Sequence, residues 1–346
     1  MIIENKPYPR VKAEFDGTQV IAPSEAISLY EQSGYGRPDK SGTLRLDPKE
    51  ALYLMARGKI EIPGLSFDQL LAECAKTPGF LRNFVVYRDL RERGYVVTTG
   101  PQDFRVFPRG LRPGKGQSRY LMRVLSERDM VDLAAIISDA VTSANMRKQF
   151  VLAVLDDEHE LTYYEIRIGK PKAAERSPLP SGIRANIAGI PSYVIEEGDG
   201  STEVLKNLWL GTMLDGTRLF LSPLETAWLL ESGCLETIPF MTAEEYISLA
   251  ASADGEFMDK LTLYRYLKDL GFSPRSGYKY GHHFRVYTQS GKHSEMLAHA
   301  VPYGTLMSMS TISRSVRLAH SVRKKMLFAS ISGTEITEVE FARMKM

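Results

Sequence analysis

The sequence has only two cysteines, Cys74 and Cys234, among 346 residues. That excludes a disulfide framework and a cysteine-built zinc site, and it fits a reducing, cytoplasmic setting. Long apolar runs are missing as well. The longest, Phe150-Val-Leu-Ala-Val-Leu155, falls far short of the ~18 residues that a membrane span needs. The acidic, proline-containing start Met-Ile-Ile-Glu-Asn-Lys-Pro-Tyr-Pro is no secretory signal. Neither charge is in excess: 44 basic against 42 acidic residues leave +2. A uniformly basic nucleic-acid coat is therefore excluded, and any polyanion site must be local. What is present is an ordinary globular composition, 43% apolar and 25% charged, which excludes a disordered or collagen-like chain. At roughly 150 residues per domain the length provides for about two cores.

A long internal repeat organises the chain. Asp47-Pro-Lys-Glu50 precedes an apolar helical pattern that stops at Gly58, and Ser222-Pro-Leu-Glu225 precedes a similar one that stops at Gly233. Each is a capping box with proline at the first helical position. Ser66-Phe-Asp-Gln69 and Thr242-Ala-Glu-Glu245 follow as a second matched pair of boxes. Then come Tyr87-Arg-Asp-Leu-Arg-Glu-Arg-Gly94 and Tyr264-Arg-Tyr-Leu-Lys-Asp-Leu-Gly271, Asp103-Phe-Arg-Val-Phe107 and His283-Phe-Arg-Val-Tyr287, and finally Met146-Arg-Lys148 and Val322-Arg-Lys324. A period this long implies a duplicated domain pair and not a solenoid.

The expected class is α/β (α+β), each copy having a small N-terminal α/β subdomain and a C-terminal subdomain with helices on a mixed sheet. The first copy divides into 1–79 and 80–169, the second into 183–255 and 256–346. The proline-rich stretch 170–182 reads as the linker between them. Strands are expected at Ser118–Leu125, Phe150–Leu155, Thr162–Ile168 and Ser294–Val301, with 163–168 and 338–341 as candidates for pairing the copies edge to edge.

The copies differ in charge and in chemistry. Between Arg275 and Lys325 the second copy carries nine Lys or Arg and one acid, Glu295, with five of the six histidines and the aromatic residues Tyr278, Tyr280, Tyr287 and Tyr303. Such a patch attracts a polyanion and offers stacking faces to unpaired bases. At matched positions Tyr287 is replaced by Phe107 and His293 by Gln117, while Lys324 persists as Lys148. From His293 to Lys324 is the same interval as from Gln117 to Lys148, although Tyr287 and His293 are closer together than Phe107 and Gln117. Phe for Tyr and Gln for His keep shape and delete proton transfer. One copy reads as active, the other as decayed.

Tyr264-Arg-Tyr-Leu-Lys-Asp-Leu-Gly-Phe272, Gly281-His-His-Phe-Arg-Val-Tyr287, His293-Ser294 and above all Val316-Arg-Leu-Ala-His-Ser-Val-Arg-Lys-Lys325 make the chain resemble the archaeal-type tRNA-splicing endonucleases. The weaker matches in the first copy resemble the form with two fused units that assembles as a homodimer. The resemblance implies a nuclease that needs no metal or other cofactor and cuts precursor tRNA at a bulge-helix-bulge, leaving a 2′,3′-cyclic phosphate and a 5′-hydroxyl. It places the catalytic Tyr, His and Lys on Tyr287, His293 and Lys324.

The chemistry suits these side chains independently. An RNA 2′-hydroxyl can attack its own phosphorus if a base, an acid and a cation are supplied. His293 is suited to be the acid. Tyr287 can be the base where a neighbouring positive charge stabilises a phenolate, and Lys324 can stabilise the phosphorane. His299 is the reserve acid.

Arg317 matches a family arginine that holds a bulged base, and Arg343 is its candidate partner; Arg323 and Lys325 add charge for RNA. The turn Asp156-Asp-Glu-His-Glu160 is acidic in the first copy only, with Ser332-Gly-Thr334 in its place in the second. Asp156, Asp157, Glu158 and Glu160 resemble the family's acidic interface loop. A substrate with two bulges then calls for a C2 homodimer. Gly110-Leu-Arg-Pro-Gly-Lys-Gly116 lacks the spacing and the Ser/Thr of a phosphate loop, and Glu295 stands alone where a metal nuclease needs paired carboxylates. The competing reading is a non-catalytic RNA-binding scaffold.

Overall fold

The computed structural model describes residues 10–169, 173, 178–288 and 293–346. The chain start at 1–9 and most of the expected linker lie outside them.

Each repeat opens with a small unit whose helices are set by their caps. Asp47, Ser66, Ser222 and Thr242 each accept a hydrogen bond from a first-turn N–H, while Glu50, Gln69, Glu225 and Glu245 reach back to the cap's own N–H. All four capping boxes read from the sequence form, each contributing about 1 kcal/mol. A four-stranded sheet accompanies the first pair of helices and a five-stranded sheet the second. Glu50 and Glu225 are buried and also hold the preceding turn, accepting from the Gly36 and Gly211 N–H groups, each at 3.0 Å. Burial pushes the Glu50 carboxyl up to about 7. Behind each glutamate an edge-on aromatic pair joins the small unit to the next, Tyr53 with Tyr87 at 6.0 Å and Trp228 with Tyr264 at 6.3 Å.

The later parts of both repeats build one sheet of ten strands. The first repeat supplies β1 (Val96–Thr99), β2 (Phe104–Phe107), β3 (Tyr120–Ser126), β4 (Gln149–Leu155) and β5 (Leu161–Ile168). The second supplies β6 (Ser273–Ser276), β7 (Phe284–Tyr287), β8 (Met296–Pro302), β9 (Lys325–Ser332) and β10 (Glu335–Met344). Their order is β6-β7-β8-β9-β10-β5-β4-β3-β2-β1, so the halves mirror one another about the join. That join is the antiparallel β5–β10 ladder, from Tyr163 opposite Met344 to Ile168 opposite Val339. It is the edge pairing expected from the sequence, and it consumes two edges that would otherwise attract other strands.

A second link pairs Met130–Asp132 with Leu306–Ser308. Two helices opened by Asp132 and Ser308 side-chain caps, α1 (Leu133–Asn145) and α2 (Met309–Ser321), share one core with Leu152, Tyr164, Phe328 and Phe341. Phe328 is fully buried and its burial stabilises by about 2 kcal/mol. The two repeats therefore fold against each other and not as beads on a string.

Candidate active site

Strand β7 runs antiparallel to β8, and β8 parallel to β9. The end of β7 and the starts of β8 and β9 therefore meet at one end of the sheet. Tyr287 closes β7, His293 precedes β8 by three residues, and Lys324 immediately precedes β9. Backbone bonds tie these points together: the Glu295 N–H donates to the Val286 carbonyl at 2.9 Å, and the Lys325 N–H donates to the Glu295 carbonyl at 3.1 Å. Across this junction the Lys324 Nζ donates to the Ser294 carbonyl at 2.7 Å, one residue after His293. His293 is exposed; Tyr287 and Lys324 are half-buried. Residues 289–292, including Lys292 of the basic window, lie outside the described residues.

The first repeat repeats this arrangement. The Lys148 Nζ donates to the Ser118 carbonyl at 2.8 Å, and Arg147 and Arg323, each preceding its lysine, share a left-handed φ of 57°. Phe107, Gln117, Ser118 and Lys148 line one cleft of about 490 Å3 together with Arg37 and Arg105. The fold thus gathers the matched positions in the copy that has Phe107 and Gln117 where the other has Tyr287 and His293.

Tyr287 is packed between two neighbours that sequence reasoning did not single out as its partners. The Trp209 ring lies 5.6 Å away, and the Arg285 guanidinium is 5.7 Å from the phenol ring. Arg317 is exposed on α2, and Arg323 is exposed just after it. Leu327 lies opposite Glu340 where the β9–β10 ladder ends, and exposed Arg343 lies further along β10, opposite Tyr164 of β5. Lys325 instead lies 4.0 Å from the Glu340 carboxylate. In the acidic turn Asp156 accepts the Glu158 and Glu160 N–H groups at 3.0 and 2.8 Å and Asp157 pairs with Arg128. Asp157, Glu158 and Glu160 project into solvent.

Part of the basic, aromatic-interleaved window is already paired or turned inward. Arg275 is occupied by Glu225 at 2.9 Å and by the Gly211 carbonyl at 2.7 Å. His282, His283 and His299 turn into a cavity of about 810 Å3, where the rings of His283 and His299 stack at 4.0 Å and those of His282 and His299 meet edge-on at 5.6 Å. Burial pushes the His282 and His299 imidazoles down to about 4, helped by the neighbouring histidines, and also lowers His283. The reserve acid His299 thus sits among other partners and binds its proton weakly. The β7–β8 register, which sets Phe284 opposite Ala298, is the signal that could have revealed this cluster, since it sets His283 opposite His299. Exposed aromatic faces remain at Tyr278 and Tyr303, and exposed imidazoles at His293 and His320. Among the described residues no group of three or more His, Cys, Asp or Glu is arranged to hold a metal ion, and no helix is long and apolar enough to cross a membrane.

Fold and site together define a duplicated nuclease-type enzyme, two pairs of α/β units that differ at matched positions, with Tyr287 and His293 in one and Phe107 and Gln117 in the other. Comparison with known proteins is specific. The family model described as tRNA intron endonuclease, catalytic C-terminal domain, matches residues 80–163 and 257–338, and the tRNA intron endonuclease N-terminal domain matches 11–71 and 192–247. The chain is 36% identical to the tRNA-splicing endonuclease of Methanococcoides burtonii over 97% of its own length and 100% of that protein's. It is 36% identical to that of Methanosarcina barkeri over the same shares, and 30% identical to that of Haloferax volcanii over 89% and 91%. The chain belongs to the tRNA intron endonuclease family.

Proposed function

We propose that the protein is a tRNA-splicing endonuclease that cuts precursor tRNA at bulge-helix-bulge junctions by 2′-hydroxyl transesterification without a metal, leaving 2′,3′-cyclic phosphate and 5′-hydroxyl ends. The carrying observation is the pair of matched lysine anchors, Lys324 on Ser294 and Lys148 on Ser118, with Tyr287 and His293 beside one and Phe107 and Gln117 beside the other.

In this reading the 2′-oxygen forms a bond to phosphorus as its proton passes to Tyr287. The P–O5′ bond breaks, and the leaving 5′-oxygen takes a proton from His293. An ammonium has three donors. One N–H of Lys324 is used on Ser294, which fixes the head and leaves two for the phosphoryl oxygens as charge builds in the transition state. The Arg285 guanidinium lies 5.7 Å from the phenol ring, a positive charge close to the group assigned as base. Arg317, Arg323 and Arg343, all exposed, would hold the flanking nucleotides.

Each chain has one such site, while the substrate has two bulges, so the working form is a homodimer whose acidic turn Asp156–Glu160 docks on the partner. Assay in EDTA on a bulge-helix-bulge RNA, with the product ends mapped, tests the chemistry. His293→Ala and Lys324→Ala should each lose about 10²- to 10⁴-fold in cleavage with RNA binding retained. Tight binding by the wild-type protein without cleavage would establish the scaffold reading instead.

A further inference from the structure

Repeat comparison exposes a second exchange beside the catalytic one. The turn after helix Ser201–Asn207 is closed by Trp209, whose N–H donates to the Lys206 carbonyl at 2.9 Å and whose φ is 60°. This left-handed conformation is unfavourable for a bulky side chain and natural for glycine. In the first repeat the matching turn, placed by the Gly36–Glu50 and Gly211–Glu225 bonds, is closed by Gly34 with φ 67°. A Cβ at Gly34 would come within 2.7 Å of Val96 Cγ1 and 3.1 Å of Arg112 Cβ, so no side chain fits there.

The volumes on the neighbouring strands change in step. Val96 lies opposite Phe107 across β1 and β2, whereas Ser273 lies opposite Tyr287 across β6 and β7. The first repeat thus has Gly34, Val96 and Phe107; the second has Trp209, Ser273 and Tyr287. The valine that would crowd a side chain at Gly34 is matched by the smaller Ser273, and the Trp209 indole rests 5.6 Å from the Tyr287 phenol at an interplanar angle of 35°. Arg285 approaches the same phenol ring within 5.7 Å. An unfavourable backbone state at a side chain that ends on a reactive group is the pattern of strain held at functional sites.

We infer that Trp209 is a positioning residue: its indole, delivered from the N-terminal unit of the second repeat, holds the Tyr287 phenol in the orientation from which it takes the 2′-hydroxyl proton. The inference rests on the proposed role of Tyr287. It makes the N-terminal unit part of the active site and explains why the decayed copy dispenses with a side chain at this turn.

The test uses the full-length protein, single-turnover cleavage of a bulge-helix-bulge RNA at saturating enzyme, and a separate measurement of RNA binding. Trp209→Asn removes the ring with a residue that accepts the left-handed backbone, and Trp209→Gly installs the residue of the first repeat. Both should slow cleavage about 10- to 100-fold, the cost of a misplaced reacting group, with the RNA Kd within about twofold of wild type. Trp209→Phe, which restores a ring, should recover most of the rate. In a Tyr287→Phe background Trp209→Asn should cost nothing further, because residues acting through one group are not additive. A wild-type cleavage rate for both Trp209→Asn and Trp209→Gly overturns the inference, as does a weakened Kd with an unchanged saturated rate, which would assign the indole to RNA binding. Wild-type cleavage by Tyr287→Phe alone would instead overturn the underlying catalytic assignment.

Discussion

Lowering the pH from 7.5 to 5 should destabilise the second repeat through two buried imidazoles. In the folded chain His282 and His299 titrate near 4, whereas a free histidine titrates near ~6.5. Above the free value both states are neutral and the contribution to stability is complete. Between the two values only the unfolded chain takes up the proton, so stability is lost as the pH falls, and below the folded value the loss is complete. At pH 5 this amounts to about 2 kcal/mol for each ring at full burial. Both rings border an open cavity, and solvent access reduces the pair to about 2 kcal/mol in total. Of the charges around the cluster, Glu256 favours and Lys260 opposes protonation of His283 and His299, and Asp254 also favours it at His283. Glu50 in the first repeat has the opposite sign: its carboxyl, raised to about 7, binds a proton when folded and gains stability as the pH falls toward 4.5. The wild-type curve alone is therefore not diagnostic, but a difference is. Urea unfolding followed by the fluorescence of Trp209 and Trp228, both in the second repeat, would be compared between wild type and His282→Gln/His299→Gln at pH 7.5 and 5. The variant should lose about 2 kcal/mol less than wild type on acidification. Equal losses in the two proteins would refute the argument.

Lys148→Ala should leave cleavage within about twofold of wild type while costing about 1–2 kcal/mol, because it strands the buried Ser118 carbonyl end of the anchor; rates and urea midpoints measured on one preparation separate the two. Reversing Asp157, Glu158 and Glu160 to lysine spares the Asp156 carboxylate that builds the turn, so the chain should stay folded by circular dichroism and shift from dimer to monomer by solution mass. Thr242→Ala removes one cap and should lower stability by about 1 kcal/mol in urea without altering the cleavage rate.

Capping boxes and strand alternation were legible because both are local: a Ser, Thr or Asp three residues before Glu or Gln specifies its own hydrogen bonds, and all four boxes form. The β5–β10 join was legible for a related reason. Two strands at the ends of duplicated units have open edges that need partners, and each supplies the other. What remained hidden depends on pairings distant in sequence. Arg275 counts as free charge until Glu225, fifty positions earlier, is seen to occupy it. His283 and His299 look like separate loop and strand residues until the β7–β8 register stacks them. Trp209 and Tyr287 belong to different units, and only the folded seam between those units brings the rings together.

The presence of lysine in both copies, although only one has the phenol and the imidazole, follows from the number of tasks each side chain performs. A phenol at the end of a strand and an imidazole in an exposed loop contribute little to the fold beyond shape, and Phe107 and Gln117 supply shape equally well. Lys148 is different, since its Nζ closes the gap between the segment entering β3 and the segment entering β4, satisfying the Ser118 carbonyl at a buried position. Removing it costs folding free energy whether or not RNA is ever cut. The anchor in the second repeat performs that same structural task with one N–H, and in the proposed mechanism the two others face the phosphate. On the proposed mechanism, a copy that keeps the anchor without the acid and the base is therefore what stability alone would preserve, and this is why the lysine, the least diagnostic of the three in one copy, becomes informative when both copies are compared.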